Sequence, residues 1–338
     1  MIKNAKQVIK YSFNSIKNII QQPIIVLLYH RVIDLKFDPQ LLSVSIKNFH
    51  EQLLYLKENY EILRLEDEWV KKDKPAIVIT FDDGYADNYQ NALPILEDLK
   101  IPATFFITTG MIGSDKEFWW DSLERLILIP KEFPSEIELQ VNGKTHSWNM
   151  SSNNTRINST EWNVLSEYEL SSRCQFYKDL HILLKPLSNK ERSKVLTAIA
   201  NKSSQQEKVR SSHRTLSRDE LVSMASSDCV TIGAHTRSHS QLSNLNILDQ
   251  KDEILTSKQT IEKWLKQPVS VFAYPYGTKA DYNLHSISIC RKAKFLKVAS
   301  NYPGQLHSWT NPMQIPRQIV RNWDLGEFQN KLNSFINN

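Results

Sequence analysis

The chain has 338 residues, 41% of them hydrophobic and 23% charged, the composition of a folded globular protein with room for one large domain or a domain carrying an insertion. Its net charge of +5 is modest and its lysines are scattered, so nothing argues for a nucleic-acid partner. Cys174, Cys229 and Cys290 form no Cys-x-x-Cys pair and read as buried thiols in a reducing compartment rather than as disulfides or a zinc knuckle.

The N-terminus carries charge without the apolar core or cleavage site of a secretion signal, and no uncharged run is long enough to span a bilayer. A cytoplasmic protein is therefore expected. Within residues 1–22, Lys3, Lys6, Lys10 and Lys17 alternate with Ile9, Phe13, Ile16 and Ile20. That pattern is an amphipathic helix, which packs on its own domain or rests peripherally on the inner face of an anionic membrane.

Residues 24–28 form an apolar run that ends in Tyr29, His30 and Arg31, as a buried strand does when it delivers polar groups at its exit. Ser45 caps a helix with Phe49, Leu53 and Leu56 on one face. The segment Ala76-Ile77-Val78-Ile79-Thr80-Phe81 reads as a second strand buried on both faces, and it runs straight into Asp82, Asp83 and Gly84. Two adjacent carboxylates at a strand exit repel each other, and a bound cation is a natural way to keep both ionised. A helix over 93–99 and a strand over 103–107 continue a parallel α/β alternation.

The rhythm breaks over residues 114–212, which read as an α+β insertion. Trp119, Trp120 and Asp121 stand at its head, and Asn142 and Gly143 mark a hairpin between residues 137–141 and 144–150. Trp120 is a candidate sugar platform, although tryptophans in such surroundings are more often core. The alternation then resumes with a Ser217/Glu220 capping box, a strand over 229–232, a helix bearing Ile247, Ile254, Ile261 and Trp264, and strands over 269–273, 296–300 and 318–320. Residues 326–338 form a C-terminal helix or tail. His235 and His239 follow the 229–232 strand, and on one helical turn their spacing points both imidazoles the same way. Two imidazoles and one carboxylate leave open positions on Zn²⁺ or a similar ion.

The chain resembles the polysaccharide deacetylases that share the chitooligosaccharide deacetylase (NodB) homology domain, carbohydrate esterase family 4. The resemblance rests on Thr80-Phe81-Asp82-Asp83-Gly84, on His235-Thr236-Arg237-Ser238-His239, on their order, and on Phe272-Ala273-Tyr274-Pro275-Tyr276-Gly277. It covers residues 23–113 and 213–325 of a catalytic domain spanning 23–325, and it implies an α/β fold, a distorted (β/α) barrel of about seven strands. It also implies Asp83, His235 and His239 as metal ligands, Asp82 as general base, and the Tyr276 backbone N–H, beside Pro275, as oxyanion donor. The metal would be zinc, with cobalt, nickel and manganese as alternatives. Tyr29 and His30 are expected to line the same mouth.

Two departures stand out. Ala273 occupies the place where the family's base-orienting arginine stands, and Arg317 is a candidate to fill that space from a neighbouring strand. The family's general-acid histidine lies in a Leu-x-His motif, here shifted to Gln305-Leu306-His307, so His307 is the first candidate, with His285 and His30 behind it. The implied activity is removal of an acetyl group from an N-acetylated sugar in a glycan or glycan precursor. An O-acetyl esterase, a non-catalytic glycan-binding relative and a Mg²⁺-dependent phosphoryl-transfer enzyme are the competing readings. Oligomeric state is not legible.

Overall fold

The computed structural model describes residues 17–18, 20–70, 72–157, 162–204 and 209–337. The expected amphipathic helix at the N-terminus lies almost wholly outside the described residues. Among the described residues no helix is long and apolar enough to cross a membrane. The chain divides into two compact units, the larger comprising Met1–Asp34, Ser43–Ile112 and Leu216–Asn338, the smaller Leu35–Leu42 and Gly113–Thr215.

The larger unit is built on β1 (Ile24–Tyr29), β2 (Arg31–Val32), β3 (Ser43–Val44), β4 (Glu61–Leu63), β5 (Ala76–Phe81) and β6 (Ala103–Ile107). The smaller holds β7 (Glu136–Val141) and β8 (Lys144–Asn149). The chain returns to the larger with β9 (Val230–Ala234), β10 (Val271–Ala273), β11 (Lys297–Ala299) and β12 (Gln318–Ile319). Its main sheet runs β11-β10-β9-β6-β5-β1-β12, every pairing parallel. On the flank of β5 away from β1, β4 pairs with residues 76–78 and β6 with residues 80–81. The last part of the ring is irregular. Val298 donates to Pro312 O and Ile315 to Val298 O, so residues 312–315 lie along β11 before β12 pairs with β1. Pro312 and Pro316 lack the N–H groups a regular strand needs there. The architecture is thus the curled parallel barrel of about seven strands that the resemblance implies.

Alternation along each strand separates two apolar layers. Ile25, Leu27, Tyr29, Ile77, Ile79 and Phe81 face outward against Phe49, Leu53 and Leu56 of the helix Ile46–Asn59. Ile24, Val26, Ala76, Val78, Phe106, Val271, Ala273 and Ala299 fill the interior. This two-residue period decides which exit residues reach the mouth. Asp82 continues the inward series of Ala76, Val78 and Thr80, and His235 continues that of Thr231 and Gly233. The latter strand runs two residues further than expected, through Gly233 and Ala234. His235 and His239 are therefore not on a helical turn. They bracket a loop in which Thr236 (φ 61°) and His239 (φ 54°) are both left-handed.

In the smaller unit the hairpin turn takes positive φ at Asn142 (50°) and Gly143 (73°), as a type I′ turn requires. Cys174 and Cys290 are buried free thiols, while Cys229 is only half-buried.

Gly233 has no room for a side chain: a Cβ there would stand 2.5 Å from Phe106 Cδ1 and 2.9 Å from Val271 Cγ2. Gly233→Ala is expected to cost about 1–3 kcal/mol by overpacking the barrel interior, read as a lower urea midpoint; an unshifted midpoint would mean that the interior yields freely.

Candidate active site

At the exit of β5 the backbone turns sharply. Asp83 takes φ 77° and Gly84 φ 89°, and Gly84 N–H donates to Asp82 O at 3.0 Å. The left-handed step costs an aspartate on the order of 1 kcal/mol. It breaks the strand alternation, so two neighbouring carboxylates, 4% and 2% exposed, meet different partners.

Asp82 is taken by Arg317. The guanidinium donates from Nη1 to Oδ1 and from Nη2 to Oδ2, both at 2.7 Å, and it also donates from Nε to Ser300 O at 2.7 Å and from Nη1 to Thr80 Oγ1 at 3.2 Å. Its planar fork matches the carboxylate, a geometry lysine could not supply. Burial alone would raise the Asp82 pKa, but Arg317, seconded by His235 and His30, overrides it and holds the acid at about 2.

Asp83 has no such partner. Its Oδ1 is buried without a hydrogen bond among the described residues, and burial raises its pKa against the pull of His30 and His235. Facing that oxygen are His239 Nε2 at 3.3 Å and His235 Nε2 at 3.7 Å. The His235 ring is oriented from behind, with Nδ1 2.8 Å from Ala273 O, so a proton on Nδ1 leaves Nε2 as the lone-pair nitrogen. Burial lowers the His235 pKa and favours the neutral form that binds metals. A buried oxygen lacking a donor and two imidazoles, with ligand atoms all within 4.8 Å of one another, fit a divalent cation of the zinc type.

A second group, Asp121, Glu124 and His213, lies in the smaller unit. There Arg210 Nη1 already donates to Glu124 Oε1 at 2.6 Å, so a guanidinium supplies the cation.

The other expected residues fare differently. Tyr276 (φ 58°) is half-buried with its ring edge-on to His239 at 4.7 Å, and Pro275 is buried and accepts Gly277 N–H to form the tight turn that follows. His30 is half-buried, and its lowered pKa comes from burial, opposed by the nearby charges of Asp83 and Asp82. Tyr29 is not a mouth residue. It is fully buried between Phe49 and Phe81, its hydroxyl donating to Gln52 Oε1 at 3.0 Å, because alternation turns it outward. Trp120, 5% exposed and stacked on Phe118 in the smaller unit, has no open face for a sugar.

His307 is not brought to this site. Leu306 exchanges both backbone hydrogen bonds with Ile24, at the start of β1 and so at the opposite end of the barrel. There His307 stacks on Trp309 and its Nε2 lies 3.2 Å from Asn18 Oδ1, while burial and Lys17 lower its pKa to about 4. His285 is exposed in the first turn of the helix Leu284–Lys292. Sequence reasoning also missed Ser300 and Thr80 as supports of Arg317: Ser300 belongs to no recognisable motif, and Thr80, though it opens the Asp82-Asp83 motif, carries no local sign of so distant a partner.

A family model described as polysaccharide deacetylase matches residues 70–171 and 186–296, well over half of the chain, and the chain belongs to that family. Among curated proteins, the poly-beta-1,6-N-acetyl-D-glucosamine N-deacetylase of Staphylococcus aureus (strain MSSA476) is 31% identical over 145 residues, covering 41% of this chain and 46% of that protein. The match thus spans about half the length of that relative. Among solved structures, the Streptococcus pyogenes deacetylase PplD in complex with acetate aligns with TM-score 0.56 at 17% identity over 93% of this chain and 98% of that one. IcaB from Ammonifex degensii aligns with TM-score 0.55 at 16% identity over 94% and 98%. At such identities these two likenesses bear on the fold.

The Asp82–Arg317 pair has a pH consequence. The folded-state pKa of Asp82 lies below its ordinary 3.8, so the pair contributes stability that is fully present above about pH 4 and lost as pH falls toward 2. The contribution is about 2 kcal/mol, and Arg317→Met, which strands a buried carboxylate, is expected to cost about 3–5 kcal/mol at neutral pH and to flatten that acid limb. Urea titrations between pH 2 and 7 measure both; an identical acid limb in the variant would mean that Arg317 does not govern Asp82.

Proposed function

We propose that the protein is a metal-dependent hydrolase that removes the acetyl group from an N-acetylated hexosamine in a glycan or glycan precursor. The observation that carries this reading is the divided fate of the two acids. Asp82 is ionised and fixed by a guanidinium, while Asp83 turns an unpartnered oxygen toward two imidazoles. The amide-cleaving activity in the name of the Staphylococcus aureus relative supports the N-acetyl substrate.

In this reading Asp83, His235 and His239 hold the ion, which when bound acidifies water and polarises the acyl oxygen. Asp82 accepts the proton of the attacking water, and Arg317 keeps its carboxylate deprotonated and aimed. The Tyr276 N–H, presented by a left-handed residue, is the donor for the developing oxyanion. His30 replaces His307 as the acid that protonates the departing amine, since its half-buried ring feels both carboxylates whereas His307 sits at the far end of the barrel.

Acetate release from N-acetylglucosamine oligomers, compared with O-acetylated sugars, tests the assignment. The N-acetyl substrate is expected to yield acetate, chelation to abolish it, and zinc, cobalt, nickel or manganese to restore it. Asp82→Asn is expected to lower turnover roughly 10³-fold with metal retained. Release from the O-acetyl sugar alone would make the protein an esterase, and release from neither would return it to a binding role. For His30→Ala, a loss on the amide that is much smaller on an ester with a good leaving group would mark the proton donor; equal losses would remove that role.

A further inference from the structure

The loop that carries both imidazoles closes on a buried carboxylate that belongs to no motif. Glu253, 5% exposed on the helix Ile247–Leu265, accepts through Oε2 the backbone N–H of Arg237 at 3.0 Å and of Ser238 at 2.8 Å. Its Oε1 accepts the Ser238 hydroxyl at 2.6 Å, and its own backbone carbonyl takes the Arg237 N–H at 3.1 Å. These donors are two of the three residues between His235 and His239.

The loop needs such an anchor. Thr236 and His239 both hold left-handed backbone, at φ 61° and 54°, where a residue bearing a Cβ is strained. On its other side the loop is held by Thr109 N–H on Thr236 O at 3.2 Å and Gly110 N–H on Arg237 O at 2.7 Å, an approach so close that a Cβ at position 110 would stand 2.5 Å from that oxygen. Within it, His239 N–H donates to Thr236 Oγ1 at 3.0 Å. The turn that follows β6 pulls from one side and the Glu253 carboxylate from the other.

We infer that Glu253 is a positioning residue for the metal site: by gathering the N–H groups of Arg237 and Ser238 it stabilises the strained loop that points His235 and His239 at Asp83. The inference rests on the metal reading given above. It does not require Glu253 to touch metal or substrate. The exposed Asp252, 3.0 Å from Arg237 Nη2, is the built-in contrast, because it contacts a side chain of the loop and not its backbone.

The test is a Co²⁺ titration of the full chain, followed by visible absorption, on the wild type and on Glu253→Ala, Glu253→Gln, Ser238→Ala and Asp252→Ala. Glu253→Ala is expected to weaken Co²⁺ binding about 10- to 100-fold and alter the ligand-field spectrum. Glu253→Gln, which keeps an acceptor of the same reach, is expected to come back to within about threefold of the wild type. Asp252→Ala is expected to leave affinity and spectrum unchanged. Wild-type affinity and spectrum in Glu253→Ala, or an equal loss in Asp252→Ala, would overturn the assignment. Should Glu253→Ala not fold, Ser238→Ala decides: removal of its hydroxyl donor is expected to weaken Co²⁺ binding roughly two- to fivefold, and no change would overturn the proposal. A wild-type chain that binds no Co²⁺ would overturn the metal reading itself, a result distinct from wild-type binding that the Glu253 variants leave untouched.

Discussion

Two carboxylates on consecutive residues, both buried, are the constraint to which the site conforms. In a low-dielectric interior neither acid stays ionised without a partner, and one partner cannot serve both. The structure turns them apart because the second, Asp83, is left-handed. Asp82 keeps the inward direction set by Val78 and Thr80 and meets Arg317, while Asp83, at φ 77°, turns its Oδ1 to the imidazoles. The first pairing is complete within the chain. The second leaves room for a cation, and the proposed roles of base and ligand rest on that asymmetry.

Much of this was legible in the chain because it depends on local pattern. The apolar runs of β1 and β5 announce strands buried on both faces, and Asn142 and Gly143 specify a two-residue hairpin. The two acids and the histidine pair could be named for the same reason, since each stands where a strand ends. The conformation of the histidine loop was not legible. Four-residue spacing suggests a helical turn, but β9 runs on to Ala234 and the loop is shaped by contacts from Gly110 and Glu253.

Among long-range partners Arg317 was readable only as a candidate, through the gap that Ala273 leaves in the family pattern; it stands 235 positions from Asp82, and ring closure by the irregular segment after β11 brings it there. The carbonyl of Ala273 orients His235 instead. Tyr29 and Trp120 misled because an aromatic at a strand end or an insertion head looks available, whereas alternation and packing bury both. His307 misled because a near-match to a motif carries no information about which end of the barrel it reaches.

Anomalous diffraction from a crystal of the protein soaked in Zn²⁺ addresses the division of labour between the two acids directly. The expected outcome is one peak ligated by Asp83, His235 and His239, with Asp82 still gripped by Arg317. A peak ligated by Asp82, or an ion bound elsewhere with Asp83 turned from the imidazoles, would contradict it.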